Sequence, residues 1–308
     1  MRLPILVTSA LSSTAVALVH PGLLHTEDDF ARIRSFVDSG DEPWKTGWDK
    51  LAARTNANYE PNPQAKVCRG KTDECSENYG VLYRDIHSAY VNAIYWKVTG
   101  DTAFADAAAR TLDGWSSTLT EIIGSTDLFL AAGIYGYQFA NAAEILRDYE
   151  AWTGLKDTID LLLKVFYPRN HDFLIRHNGT PDDHYWANVS IYFIQSLQCQ
   201  GLAYSFHQWD LCNLAAMHAI GVLADDQAKI DEAITYFKDG HGNGAIEHTI
   251  WTLHEEEGTG KVLGQNQEAG RDQGHAQLVF ALLGVLAQQS YNQGEDLFEY
   301  LDNRILAG

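Results

Sequence analysis

The chain has 308 residues, 45% of them apolar and 20% charged. That excludes a disordered chain and allows one large domain with a substantial core. The formal net charge is −19, which argues against nucleic acid as a partner, because such binding runs on clustered Lys and Arg. An acidic substrate would have to be met by basic residues gathered locally against that global field.

Residues 1–19 read as a secretory signal peptide. Arg2 supplies the charge, Leu3 to Ala17 is mostly apolar but too short to span a bilayer, and Ala15-Val16-Ala17 resembles a small-residue cleavage site. The working domain is then expected over residues 20–308, outside the cell, with no other segment suited to a membrane. Secretion permits disulfides. Cys68 and Cys75 stand in a polar, loop-like stretch and can pair locally, whereas Cys212 in an apolar helical run reads as a buried thiol. No Cys or His has zinc-site spacing.

From Leu82 onward the pattern is helical. Ile86, Ala89, Tyr90, Ala93, Ile94 and Trp96 keep to one side of a helix that ends at Gly100, and Asp101 caps the next. That next helix repeats Phe104, Ala107, Ala108, Thr111, Leu112 and Trp115 at 3–4 spacing. A third carries Phe139, Ala142, Ala143, Ile145, Leu146 and Tyr149. A fourth is expected from Leu155 to Phe166, stopping before Pro168. Others follow near 211–222, 227–237 and 277–289, and β-alternation is scarce. Helices joined by short loops suggest a bundle or a helical toroid.

One segment breaks the pattern. Val189 to Gln208 holds no Asp, Glu, Lys or Arg. At a 20% charged fraction a given window of this length does so by chance roughly 1% of the time. Its several Gln residues and His207 rule out a membrane span. Joining the residues on either side gives one helical run, HYWANWDLCNLAAM. Val-Ser can be encoded by a 5′ splice donor and Gln by an acceptor, so residues 189–208 are expected to be a translated intron rather than a surface insertion.

Several stretches resemble the alginate lyase-like family of the chondroitin AC/alginate lyase superfamily. They are Val19-His20-Pro21-Gly22-Leu23-Leu24-His25-Thr26, the run from Ala89-Tyr90 through Trp96 to Asp101, Gly133 to Arg147, the joined HYWANWDLCNLAAM, and Gly264 to Ala276 (GQNQEAGRDQGHA). The set spans nearly all of residues 20–308. The resemblance implies an all-α fold, an incomplete (α/α) toroid of helical hairpins crossed by a substrate groove. It also implies β-elimination at a 4-linked uronic acid of an anionic polysaccharide. It further implies a Tyr-containing segment beyond Gly308, so the chain is expected to be C-terminally truncated.

That chemistry sets requirements. A donor must neutralise the uronate carboxylate so that the C5 proton becomes acidic, a base must take that proton, and an acid must protonate O4. Side chains can supply all three, so no cofactor and no metal is expected. His184 and Asn188, spaced i, i+4, would share a helix face. His184 is expected as base or carboxylate partner, Asn188 as neutraliser and Tyr185 as acid. Arg271, Gln273 and His275 form a second cluster around Gly270 and Gly274, and Arg271 and His275 are also spaced i, i+4. Arg271 is either a bidentate carboxylate ligand or the partner of Glu268 or Asp272. Gln138 and Asn141 are further substrate-binding candidates. Asn178-Gly179-Thr180 is a glycosylation sequon; Asn188-Val189-Ser190 is another, which splicing would remove. Two other functions stay open: a glycoside hydrolase, for which Asp183, Glu268 and Asp272 are available carboxylates, and a defective product that only binds glycan. The sequence gives no oligomeric state.

Overall fold

The computed structural model describes residues 17–177 and 207–308. Helices dominate. Glu27–Ser39 (α1) and Trp44–Ala52 (α2) precede Tyr79–Thr99 (α3), Thr102–Thr118 (α4) and Asp127–Ile145 (α5). Then come Leu155–Leu161 (α6), a π-helical turn at Leu162–Phe166 and Tyr167–His177 (α7). Beyond the undescribed residues lie His207–Leu223 (α8), Gln227–Asp239 (α9), Ile246–Thr249 (α10), Gln273–Asn292 (α11) and Tyr300–Ala307 (α12). Four short strands qualify the all-α expectation. Lys66–Cys68 (β1) pairs in parallel with Glu121–Ile123 (β2), and Ile250–Glu255 (β3) pairs antiparallel with Val262–Asn266 (β4).

Capping chemistry sets the boundaries. Gly100 closes α3 in the left-handed conformation at φ 77°, and the Asp101 carboxylate accepts from Ala103 N–H to open α4. Asp226 and Asp272 do the same for α9 and α11. At Pro168 the helix does not stop, contrary to expectation. The π turn closes with an i→i−5 bond from Tyr167 N–H to Leu162 O. That places Pro168, which has no N–H, in the first turn of α7, where none is needed.

The hairpins form two layers. Helices α3, α5, α8 and α11 pack side by side in that order, with α4 against α3, α7 against α5 and α8, and α9 against α8. The α5–α8 contact is close because it is built on small residues. A methyl group on Gly133 would collide with Cys212 Sγ, and one turn on, a methyl on Gly136 would lie 3.2 Å from Ala216 Cβ. Two such meetings in the same order on both helices show that α5 and α8 run parallel. Ala131, Ala132, Phe139, Ala140, Ala142 and Ala143 of α5 are all buried. The Cys68–Cys75 disulfide is present, and Cys212 is a buried free thiol whose pKa burial pushes up. Among the described residues no helix is long and apolar enough to cross a membrane.

Residues 19–25 form a strap over the C-terminal ends of the packed helices. Gln293 bonds Val19 through both its amide atoms and also donates to Gly22 O. Leu24 N–H donates to Asn141 Oδ1 at 3.0 Å, and His25 Nε2 lies 2.7 Å from Tyr90 OH. His20 sits between two acids, with Nδ1 2.5 Å from Glu144 and Nε2 2.9 Å from Asp225. Glu144 is 1% exposed and also binds Arg147 Nε at 3.0 Å. The hydrogen bond to Glu144 raises the His20 pKa, partly opposed by burial. The protonated strap therefore stabilises the fold fully below the ordinary histidine value of about 6.5, and this contribution is lost as pH rises through the raised value. His20→Asn is expected to lower the melting temperature more at about pH 5.5 than at about pH 8.5. A pH-independent loss would contradict the assignment.

Candidate functional site

Because the packed helices share a direction where α5 meets α8, their N-terminal ends lie on one side, opposite the strap. His184, Tyr185 and Asn188 lie outside the described residues. Arg271, Gln273 and His275 stand at the start of α11.

The GQNQEAGRDQGHA segment is a strand end, a turn and a helix start. Gly264, Gln265 and Asn266 close β4. Gly270 takes a φ of 89°, a value that disfavours any side chain, and Asp272 caps α11. Arg271 therefore precedes the helix, so its i, i+4 spacing from His275 does not put the two on one helical face. They meet instead through Asp272. The His275 backbone N–H donates to Asp272 Oδ1 at 2.9 Å, and its Nδ1 lies 2.5 Å from Oδ2. These bonds hold the Asp272 carboxyl below the usual range. Arg271 Nη1 lies 3.3 Å from Glu268 Oε2, and Nε lies 3.8 Å from Asp272 Oδ2. Of the two readings open for Arg271, the internal ion pair is the one formed. Gln273 is exposed in the first turn of α11. Glu268 is 2% exposed and shares Arg271 with Asp272. The two carboxylates thus lie on one wall, not opposed across a cleft as hydrolysis requires.

Gln138 and Asn141 of α5 border a separate cavity of about 260 Å³, between α3, α5 and α11. Its other polar lining is His87, Tyr90 and Tyr137. Asn141 is 2% exposed and fully engaged, accepting from Leu24 N–H and donating to Tyr137 O at 2.8 Å. Its geometry is that of a bridge between strap and helix. Gln138 makes one long contact, 3.4 Å to Tyr137 OH, and keeps amide capacity toward the cavity. Burial pushes the Tyr90 and Tyr137 phenols up, so both stay protonated at neutral pH. Burial, then Arg54, pushes the His87 imidazole down, so it stays neutral. A neutral imidazole, protonated phenols and a primary amide around one cavity can accept a proton, donate one and bind a carboxylate.

Val285 of the cavity and His275 of the second cluster are both on α11, ten residues or about 15 Å apart. They are separate stations along one helix. Sequence reasoning named neither His87 nor Tyr137 as functional. Their signal lies in the spacing of Tyr83, His87 and Tyr90 on α3, which only the facing α5 gives meaning. Among the described residues, no three or more His, Cys, Asp or Glu gather as a metal-binding group.

Layered hairpins around such a cavity define an alginate lyase-like (α/α) toroid fold, and the solved structures agree. The chain matches a tyrosine-to-phenylalanine variant of alginate lyase A1-III complexed with a tetrasaccharide, with a TM-score of 0.58 at 15% identity. The match covers 95% of this chain and 75% of that one. It also matches alginate lyase A1-III from Sphingomonas species A1, with a TM-score of 0.55 at 14% identity, covering 95% and 76%. No family model and no curated protein matches the chain. At these identities the likeness is one of fold.

The two α5 amides are expected to separate on mutation. Asn141→Ala leaves the Leu24 N–H without its acceptor and should cost about 1–3 kcal/mol of stability. Gln138→Ala should stay within about 0.5 kcal/mol of the parent. Thermal melts of both variants check this, and equal losses would contradict it.

Proposed function

We propose that the protein is a secreted polysaccharide lyase that cleaves a 4-linked uronic-acid polymer of the alginate or glucuronan type by metal-independent β-elimination. The observation that carries this reading is the fold shared with alginate lyase A1-III, one structure of which holds a tetrasaccharide.

In this reading Asn188 hydrogen-bonds the uronate carboxylate and offsets its charge, so that carbanion character at C5 becomes tolerable. His184 removes the C5 proton or shares the carboxylate, and Tyr185 protonates the departing O4. The C5–H electron pair becomes the C4–C5 double bond as the C4–O4 bond breaks. Gln138 and His275 contact the bound chain. Asn141, Gln273 and Arg271 shape the walls, Arg271 by holding Glu268 and Asp272. Asn178 carries an N-glycan. The spliced form, with residues 189–208 removed, is the working protein. Sequencing the transcript tests that last point: the main form should lack these codons.

Incubating the protein with a panel of polyuronates and following ultraviolet absorbance of the unsaturated product tests the activity. His184→Ala should lower kcat roughly 10²- to 10⁴-fold, the range for loss of a general base. Cleavage with no rise in absorbance would show hydrolysis and overturn the reading.

A further inference from the structure

Many of the cations among the described residues are matched to carboxylates. Arg32 pairs with Asp29, Arg147 with Glu144, Lys229 with Asp226, and Arg271 with Glu268. Three arginines beside the start of α3 are among those that are not. Arg54, Arg69 and Arg84 have no carboxylate in salt-bridge reach among the described residues. Two of them rest on tyrosine rings, and the third acts on His87. Arg69 lies 4.8 Å from the Tyr79 ring centre and 5.7 Å from that of Tyr135, and donates to Tyr135 OH at 3.0 Å. Arg84 lies 5.8 Å from the Tyr83 ring. Arg54 is near enough to His87 to lower its pKa.

The helix orders this set. Tyr79, Tyr83 and His87 recur at i, i+4 and share a face of α3. Tyr83 is 45% exposed, and Arg54, Arg84 and His87 are exposed as well. One turn further, His87 and Tyr90 line the cavity beside Gln138. From Tyr79 to Tyr90 the track runs about 16 Å along the helix.

The loop that carries Arg69 is tightly fixed. Cys68 is in the disulfide, and Arg69 N–H donates to Ile123 O at 3.0 Å. Gly70 donates to Glu77 at 2.8 Å, accepts from Ser125 N–H at 2.9 Å and has a φ of 76°. Two nearby acids are occupied. Asp85 is buried and accepts from Tyr59, Asn62 N–H and Trp115, and Glu77 accepts from Gly70. A guanidinium held on aromatic faces keeps its donor fork organised and loses less entropy when it binds a carboxylate.

We propose that Arg69, Arg84 and Arg54, with Tyr83 and His87, form a carboxylate-binding track that leads a polyuronate chain into the α3–α5 cavity. This rests on the polyuronate reading above and names residues outside the proposed catalytic set. Elsewhere the net charge of −19 repels such a polymer, so the track sets where it docks. The uronate carboxylates meet the guanidinium groups, and the sugar faces lie on the Tyr83 ring.

Electrophoresis of the full chain through gels containing a polyuronate or a neutral glucan tests it, with absorbance assays on the same samples. The protein should be retarded by the polyuronate alone, less so at high salt. R54Q/R84Q changes only exposed side chains and should keep the parent melting temperature. It should bind roughly 10-fold more weakly, a difference of about 1.4 kcal/mol, and R69Q should show the same trend. R32Q, which changes a paired arginine on α1, should bind like the parent. No retardation of the parent, or equal retardation of parent and R54Q/R84Q, would overturn the track. Track-dependent retardation without unsaturated product would support the track while sinking the lyase reading.

Discussion

The close packing of α5 on α8 through Gly133 and Gly136 is the constraint on which the rest depends. It lets two helices run parallel at a distance that larger residues would forbid. The end of α8 that follows the undescribed residues thus lies with the start of α5, and the start of α11 presents the Arg271 segment. The opposite end, where α5, α8 and α11 terminate, is closed by the strap of residues 19–25. Helix dipoles favour this division. Their negative ends suit a protonated His20, and their positive ends suit the carboxylates of an acidic polymer.

The helices and their caps were legible because they rest on local rules. Gly100 and Asp101 mark boundaries through backbone conformation and a single carboxylate, and the structure has them there. The Cys68–Cys75 pairing follows from proximity in a polar loop. Pro168 misled because a π turn absorbs its missing donor, a compensation with no signature in the sequence. The candidate site was harder. The spacing of Arg271 and His275 suggested a shared helical face, but the Asp272 cap puts the helix boundary between them. The cavity draws on α3, α5 and α11, whose juxtaposition is tertiary, so His87 and Tyr137 look like ordinary helix residues until α3 and α5 are placed side by side.

The net charge poses a problem that the local arrangement addresses. A strongly acidic protein is an unlikely docking partner for a polyuronate unless its cations are gathered and left without internal partners. Ion pairs elsewhere absorb many of the lysines and arginines, whereas the start of α3 keeps Arg69 and Arg84 on tyrosine faces, with Arg54 near His87. The same contrast separates Arg271, committed to Glu268 and Asp272, from Arg69, whose guanidinium rests on Tyr79 and Tyr135. Position in a resembling motif does not decide which arginine meets the substrate; the surrounding carboxylates do.

The central claim is elimination on this fold, and the fate of water tests it most directly. In a digest of polyuronate run in heavy-oxygen water, elimination transfers no solvent oxygen to the cut. Mass spectrometry should then find fragments lacking one water and carrying no label at the new ends. Labelled reducing ends at full fragment mass would contradict the account and establish hydrolysis.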